Sequence, residues 1–248
     1  MKFIKHMLAA ASLAALAATA QATPQAPVSG TDYKTLDKAQ STDAPAGKVE
    51  VTEFFWYSCP HCAALDPALE AWVKKQGNAI AFKRVPVMFR PSFVPQQKLY
   101  YTLEAMGRLH DLHPKVFNAI HGERKALDSD AAITDYIVAQ GVDKAKFLEV
   151  YNSFGVQTKA KRAAQLQEGY KIDGVPTLAI DGRYMTSPSI VGAGMGGNQP
   201  EPALHAAALQ VASFLVDKAA KEQNATLRDS WLKIAASYRD LANTKQYP

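Results

Sequence analysis

Residues 49–62, Val-Glu-Val-Thr-Glu-Phe-Phe-Trp-Tyr-Ser-Cys-Pro-His-Cys, join a β-branched and aromatic run to two cysteines three positions apart. Val49–Tyr57 has the composition of a buried strand. Helical spacing starts at the cysteines and runs through Leu65, Leu69 and Trp72 to Gly77. Cys59 and Cys62 are the only cysteines of the chain, so no second pair can complete a four-thiolate zinc site and no thiol is left over for a partner. A strand that delivers Cys-x-x-C to a helix start suits reversible disulfide chemistry.

Upstream, Lys2 and Lys5 precede a small-residue apolar stretch, Met7–Ala18, and Ala20-Gln21-Ala22 is a cleavage signature. Residues 1–22 read as a secretory signal peptide. The stretch is short for a bilayer span and is followed by Thr23, Pro24 and Pro27 rather than a basic stop. Removing it takes two lysines and lowers the formal net charge from +5 to +3. That mild, mixed charge holds no basic run dense enough for nucleic acid. An exported protein in an oxidising compartment is expected, and two cysteines are too few for a stapling framework there.

Downstream, Ala79–Val87 reads as a second strand. Five helices are expected over 95–168: Gln96–Met106, Pro114–His121, Ala131–Gln140, Lys144–Ser153 and Gln157–Glu168, with Asp130 and Asp143 as N-caps. Val175–Ile180, Asp181-Gly182 and Arg183–Met185 form a hairpin around the strongest two-residue turn signal. A helix follows over about Pro202–Lys221, and Asp32–Leu36 suits a short edge strand. This order gives an α/β fold.

The segment Glu53–Cys62, the intervening helices and Gly174-Val175-Pro176-Thr177 before the hairpin resemble the DsbA family of bacterial periplasmic thiol:disulfide interchange proteins. The resemblance covers roughly 31–222 and implies a thioredoxin fold with an inserted helical domain. It divides the chain into a first thioredoxin part (23–90), a helical insert (91–168), a second thioredoxin part (169–222) and an extra C-terminal helical tail (223–248). The implied activity is a disulfide oxidase that takes reduced, unfolded exported proteins through a mixed disulfide. The implied reoxidant is a quinone-linked membrane protein of the DsbB type. A periplasmic monomer without cofactor or metal is expected.

The chemistry of the motif can be argued beside the resemblance. The thiolate attacks a disulfide, and an ordinary cysteine is only about 3% thiolate at pH 7. Cys59 sits at a helix start, whose dipole contributes roughly 0.3–1 kcal/mol and at most about 2. His61 adds stabilisation if it is cationic or donates a hydrogen bond. Pro60 suits the first turn because it has no N–H to leave unpaired, and Cys62, further into the helix, is the resolving thiol. By resemblance, Val175-Pro176 is a cis bond facing the motif, and Glu53 is a buried acid exchanging protons with Cys62. Lys83 is a candidate partner for Glu53. Trp56, Met88 and Phe89, with Val175 and Pro176, are candidates to face a substrate peptide.

Two other functions use the same residues. A disulfide isomerase or reductase usually carries a dimerisation domain ahead of the thioredoxin fold, and residues 23–47 are too short for one. A metal carrier built on Cys59, His61 and Cys62 needs further soft ligands nearby, and no Met-rich motif supplies them. Gly192-x-Gly194-x-x-Gly197 matches a dinucleotide fingerprint but lacks its βαβ setting, and reads as a glycine-rich loop before the last helix. His110 and His113 read as surface histidines, and Asn224-Ala225-Thr226 matches a glycosylation sequon. Leu227, Trp231, Ile234, Tyr238 and Leu241 step by 4, 3, 4, 3 along an amphipathic helix expected to dock on the protein's own surface, with a dimer seam as the alternative.

Overall fold

The computed structural model describes residues 26–244, with side chains through 237. The expected signal peptide therefore lies outside the described residues. Strand β2 (Val49–Phe55) is buried along its whole length and lies between β3 and β4 in a five-stranded sheet. It pairs in parallel with β3 (Ile80–Pro86) and antiparallel with β4 (Thr177–Ile180). Strand β5 (Tyr184–Thr186) and the two-residue β1 (Lys34–Thr35) complete the order β1-β5-β4-β2-β3. The β4–β5 turn forms as its sequence predicts, with Asp181 and Gly182 both at positive φ (54° and 67°).

Helices α1 (Pro60–Gln76) and α8 (Glu201–Thr244) cover one face of the sheet. Val49, Val51, Leu65, Leu69, Leu178, Ile180, Leu215 and Ala219 share the core there. Between β3 and β4 come α2 (Val94–Ala105), α3 (Leu109–His121), α4 (Asp130–Ala139), α5 (Lys144–Tyr151) and α6 (Phe154–Gly169). Their core joins the end of β2 through Phe54, Phe55 and Tyr57. Helix α7 (Pro188–Met195) leads back to α8.

Several expectations need correcting. The α4 N-cap is Ser129, whose Oγ accepts from Ala132 N, rather than Asp130, which is the first helical residue. Helix α3 begins at Leu109 and carries Pro114 in its interior. The carbonyl deprived of a donor there belongs to His110, whose side chain is exposed, so water can serve it. Helix α6 starts three residues early because Ser153 caps it. The expected glycine-rich loop is instead largely helical, since Gly192 and Gly194 lie within α7. A Cβ at Gly194 would stand 2.6 Å from Thr31 Cγ2, so glycine is what lets α7 close on the N-terminal segment.

His113 is not on the surface. Its ring is buried, with Nδ1 2.8 Å from Tyr57 Oη. The last helix does not stop near Lys221 but continues unbroken to Thr244. The tail does not dock on the body: every residue from Asn224 to Ser237 is exposed, Trp231 by 68%.

Candidate active site

Cys59 caps α1. Its backbone is extended (φ −82°, ψ 114°), so Sγ turns back over the first turn and accepts the Cys62 N–H at 3.2 Å. The Cys62 thiol and that N–H, followed by the charge on His61, lower the Cys59 pKa from its ordinary 9.0 to about 7, against the opposing effect of burial. Cys62, one turn further in, is fully buried. Burial first, then the neighbouring Cys59, then Glu53, pushes its thiol far above the ordinary range. Both cysteines are free thiols. Pro60 occupies the first helical position, as its missing N–H favours.

The Val175-Pro176 bond is cis and faces the motif, with Val175 O 3.5 Å from Cys59 Sγ. His61 points outward, and its Nδ1 lies 2.7 Å from Glu201 Oε1 at the start of α8. That hydrogen bond is the main cause of a raised His61 pKa, and it lowers that of Glu201 in turn. His205, one turn along α8, approaches Glu201 at 3.5 Å, and burial lowers its pKa. His61, Val175, Pro176, Pro188, Glu201 and Leu204 line a groove of about 330 Å³ beside the cysteines.

Glu53 stands on the α1 face of β2, 1% exposed. Burial raises its pKa from 4.5 to about 7, with Arg84 opposing. The parallel register sets Arg84 opposite Glu53. Arg84 Nε donates to Glu53 Oε2 at 2.7 Å, while Nη2 donates to Asp66 Oδ1 at 2.9 Å and Glu70 Oε1 at 2.7 Å. Lys83 is therefore not the partner of Glu53. One residue earlier on β3, it points to the opposite face and pairs with Glu50 at 2.8 Å.

Of the residues expected to face substrate, Phe89 is 42% exposed, while Trp56 and Met88 are half-buried. Trp56 stacks on Phe93 with ring centroids 3.7 Å apart and planes 8° apart. Gln96 ties the motif loop to the helical insert. Its Oε1 accepts from Ser58 N at 3.2 Å, and its Nε2 donates to Ser58 Oγ at 2.7 Å and Leu127 O at 2.8 Å.

The structure thus brings Cys59, His61, Val175 and Pro176 together, with Cys62 fully buried one turn further in and Glu53 close enough to act on it. Sequence reasoning missed Arg84, Asp66, Gln96 and Glu201. Arg84 had a usable signal, because aligning β2 and β3 in parallel pairs it with Glu53. Glu201 had none, lying 140 residues from His61. Among the described residues, no cluster of three or more His, Cys, Asp or Glu side chains could hold a metal ion.

Residues 81–207 match the family described as the DSBA-like thioredoxin domain. The chain is 51% identical over 178 residues to the thiol:disulfide interchange protein DsbA of Burkholderia cepacia, covering 72% of this chain and 84% of that one. It is 37% identical over 212 residues to the protein of the same name from Pseudomonas aeruginosa, covering 86% and 93%. The crystal structure of Pseudomonas aeruginosa DsbA superposes with a TM-score of 0.69 at 34% identity, covering 79% of this chain and 95% of that chain.

Proposed function

The chain belongs to the DSBA-like thioredoxin family and is a thiol:disulfide oxidoreductase, and on that premise we propose that it donates a disulfide to reduced exported proteins in the periplasm. The observation that carries the direction is the opposed setting of the two thiols. A Cys59 thiolate is stabilised only in the dithiol form, so the disulfide gains free energy on reduction and acts as an oxidant.

In the proposed reaction, a substrate thiolate attacks Sγ of Cys59 in the Cys59–Cys62 disulfide. A substrate–Cys59 disulfide forms, the Cys59–Cys62 bond breaks, and Cys62 takes the electron pair. A buried thiolate is costly, so Cys62 needs a proton, and Glu53, poised near 7, is the group to supply it. A second substrate thiolate then attacks the substrate sulfur of the mixed disulfide. It forms the substrate's own disulfide and releases Cys59 as the stabilised thiolate. Reoxidation by a quinone-linked membrane protein of the DsbB type returns two electrons to the membrane and lets Glu53 take up the Cys62 proton.

The remaining residues support this sequence of steps. The Val175 carbonyl and Pro176 border the groove where an extended substrate backbone would lie against Cys59. Trp56 and Phe89, which both pack against Phe93, offer with Met88 further apolar surface for a substrate. The two thioredoxin parts supply the sulfurs and the Pro176 loop, and the helical insert braces Ser58 through Gln96. No described helix is long and apolar enough to cross a membrane, which accords with an exported enzyme that meets its reoxidant from outside the bilayer.

The test is equilibration of the mature protein in glutathione buffers of graded ratio, with the thiols trapped and counted by mass. An oxidase keeps the pair reduced until the buffer is strongly oxidising. A pair already oxidised in strongly reducing buffer overturns the direction and favours a reductase.

A further inference from the structure

His61 is held in a way that electrostatic support of Cys59 does not by itself require. Its Nδ1 lies 2.7 Å from Glu201 Oε1. Glu201 is the first residue of α8, where unpaired N–H groups favour negative charge. The hydrogen bond to His61 is the main cause that lowers its pKa, so it is a carboxylate at neutral pH. A carboxylate only accepts, so Nδ1 carries the hydrogen and a neutral His61 has its lone pair on Nε2. The buried His205 stands behind the pair, with Nε2 3.5 Å from the same oxygen. A carboxylate that fixes one imidazole nitrogen and leaves the other free prepares a histidine to take a proton.

The reaction supplies such a proton. An ordinary cysteine is only about 3% thiolate at pH 7, so most encounters bring an S–H group to Cys59. His61, Val175, Pro176 and Glu201 line the groove beside the cysteines, so that thiol arrives next to the imidazole. The Glu201 hydrogen bond is the main cause that raises the His61 pKa from 6.5, and the Cys59 charge adds to it. In the disulfide that charge is absent, so the ring is more readily neutral there than in the dithiol. Among the described residues, Glu201 and Cys59 are the charged groups that act on the ring, with His205 behind Glu201. A base whose pKa lies near the working pH is the efficient one.

Resting on the oxidase direction above, we propose that His61 is the general base that deprotonates the attacking substrate thiol, with Glu201 as its positioning residue. As the substrate sulfur bonds to Cys59 Sγ, its proton passes to His61 Nε2. The Cys59–Cys62 bond breaks, and its electron pair goes to Cys62, which takes a proton from Glu53. The proton on His61 then faces the Cys59 thiolate when the second substrate thiol frees it. One proton thus serves both halves of the reaction: its removal activates the attacker, and its charge stabilises the leaving group.

The experiment is single-turnover oxidation of a two-cysteine peptide by the preoxidised mature protein, followed by rapid quench and mass across the neutral pH range. It is repeated with one cysteine of the peptide replaced by selenocysteine, whose selenol is ionised at neutral pH without a base and so attacks first. His61→Gln is expected to slow the cysteine peptide at least about fivefold more than the selenocysteine peptide. Glu201→Gln is expected to give a smaller difference of the same kind and to move the rising limb of the cysteine-peptide rate to lower pH. Both side chains are exposed, and far-UV circular dichroism checks the fold. Equal slowing of the two peptides overturns the proposal, because stabilisation of Cys59 alone is blind to whether the attacker carries a proton. A cysteine-peptide rate that His61→Gln leaves unchanged overturns it too. A preoxidised protein that oxidises neither peptide removes the oxidase direction and the proposal with it, whereas the first two outcomes leave that direction standing.

Discussion

The two sides of the first turn of α1 hold identical thiols under opposite physics. On the outer side, Cys59 meets the Cys62 thiol and N–H as donors and the charge of the His61 imidazole, which Glu201 holds. On the inner side, Cys62 meets an apolar core and a carboxyl group. One turn of helix separates a thiol pushed down to about 7 from one pushed far up. A Cys-x-x-Cys spacing therefore does not assign roles. Roles come from which sulfur receives hydrogen bonds and which receives only desolvation.

The largest effect should come from the inner side. Arg84→Met leaves Glu53 and Asp66 buried beside each other without their cation. The expected cost is about 3–5 kcal/mol of stability at pH 8, with a smaller loss at pH 5, where Glu53 takes a proton. Denaturant unfolding at the two pH values measures both. An equal loss at each pH would show that Glu53 is not the group left stranded.

Next comes the pH slope of Glu53 itself. Its folded pKa, about 7, lies above the ordinary 4.5, so the folded state holds a proton that the unfolded state has lost between those values. Its contribution is complete below pH 4.5 and disappears as pH rises through 7. Glu53→Gln removes that slope, so the variant should gain on the order of 3 kcal/mol over the wild type between pH 4 and pH 8. Glu53→Gln should also slow the opening of the disulfide and flatten the pH dependence of that step around 7.

Cys59 should slope the other way in the adjacent window. Its folded pKa is depressed from 9.0 to about 7, so its contribution is present above 9 and is lost as pH falls through 7. The reduced protein should therefore gain stability over a Cys59→Ser variant as pH rises from 7 to 9. Thermal melts of reduced protein, with thiolate absorbance followed in parallel, check the sign.

The smallest effect belongs to Glu201→Gln. His61 and Glu201 are 68% and 43% exposed, so solvent limits the pair to under about 1 kcal/mol. The expected outcome is a lower His61 pKa and a Cys59 pKa raised by a fraction of a unit, read by NMR and thiolate absorbance. A Cys59 pKa that falls instead would mean that the Glu201 charge reaches the thiolate more strongly than His61 relays it.

Much of this contrast could be read in advance, and the unread parts share a cause. Strands β2 and β3, the start of α1 at the cysteines and the Asp181-Gly182 turn follow from local patterns. Contacts between distant segments do not. His113 looked like a surface histidine because no acid or cysteine cluster accompanies it and Pro114 suggests a helix start, while the Tyr57 hydroxyl it meets is 56 positions away. Lys83 and Arg84 are adjacent in sequence, and only the register of β3 on β2 decides which faces Glu53.

The tail teaches the same lesson from the other direction. Its 4, 3, 4, 3 stripe was legible, and so was its helical state, but a periodic apolar face is the same sequence whether the body or another chain covers it. What the sequence determined by itself is everything set by short-range geometry: the sulfur spacing, the strand that delivers it, the capped helix start and the hairpin. What tertiary structure decided is which groups share a solvent-free volume, and hence which thiol is stabilised, which acid holds its proton near neutrality and which face of α8 stays bare. Desolvation and ion pairing depend on distances in space that the order of residues along a chain does not fix.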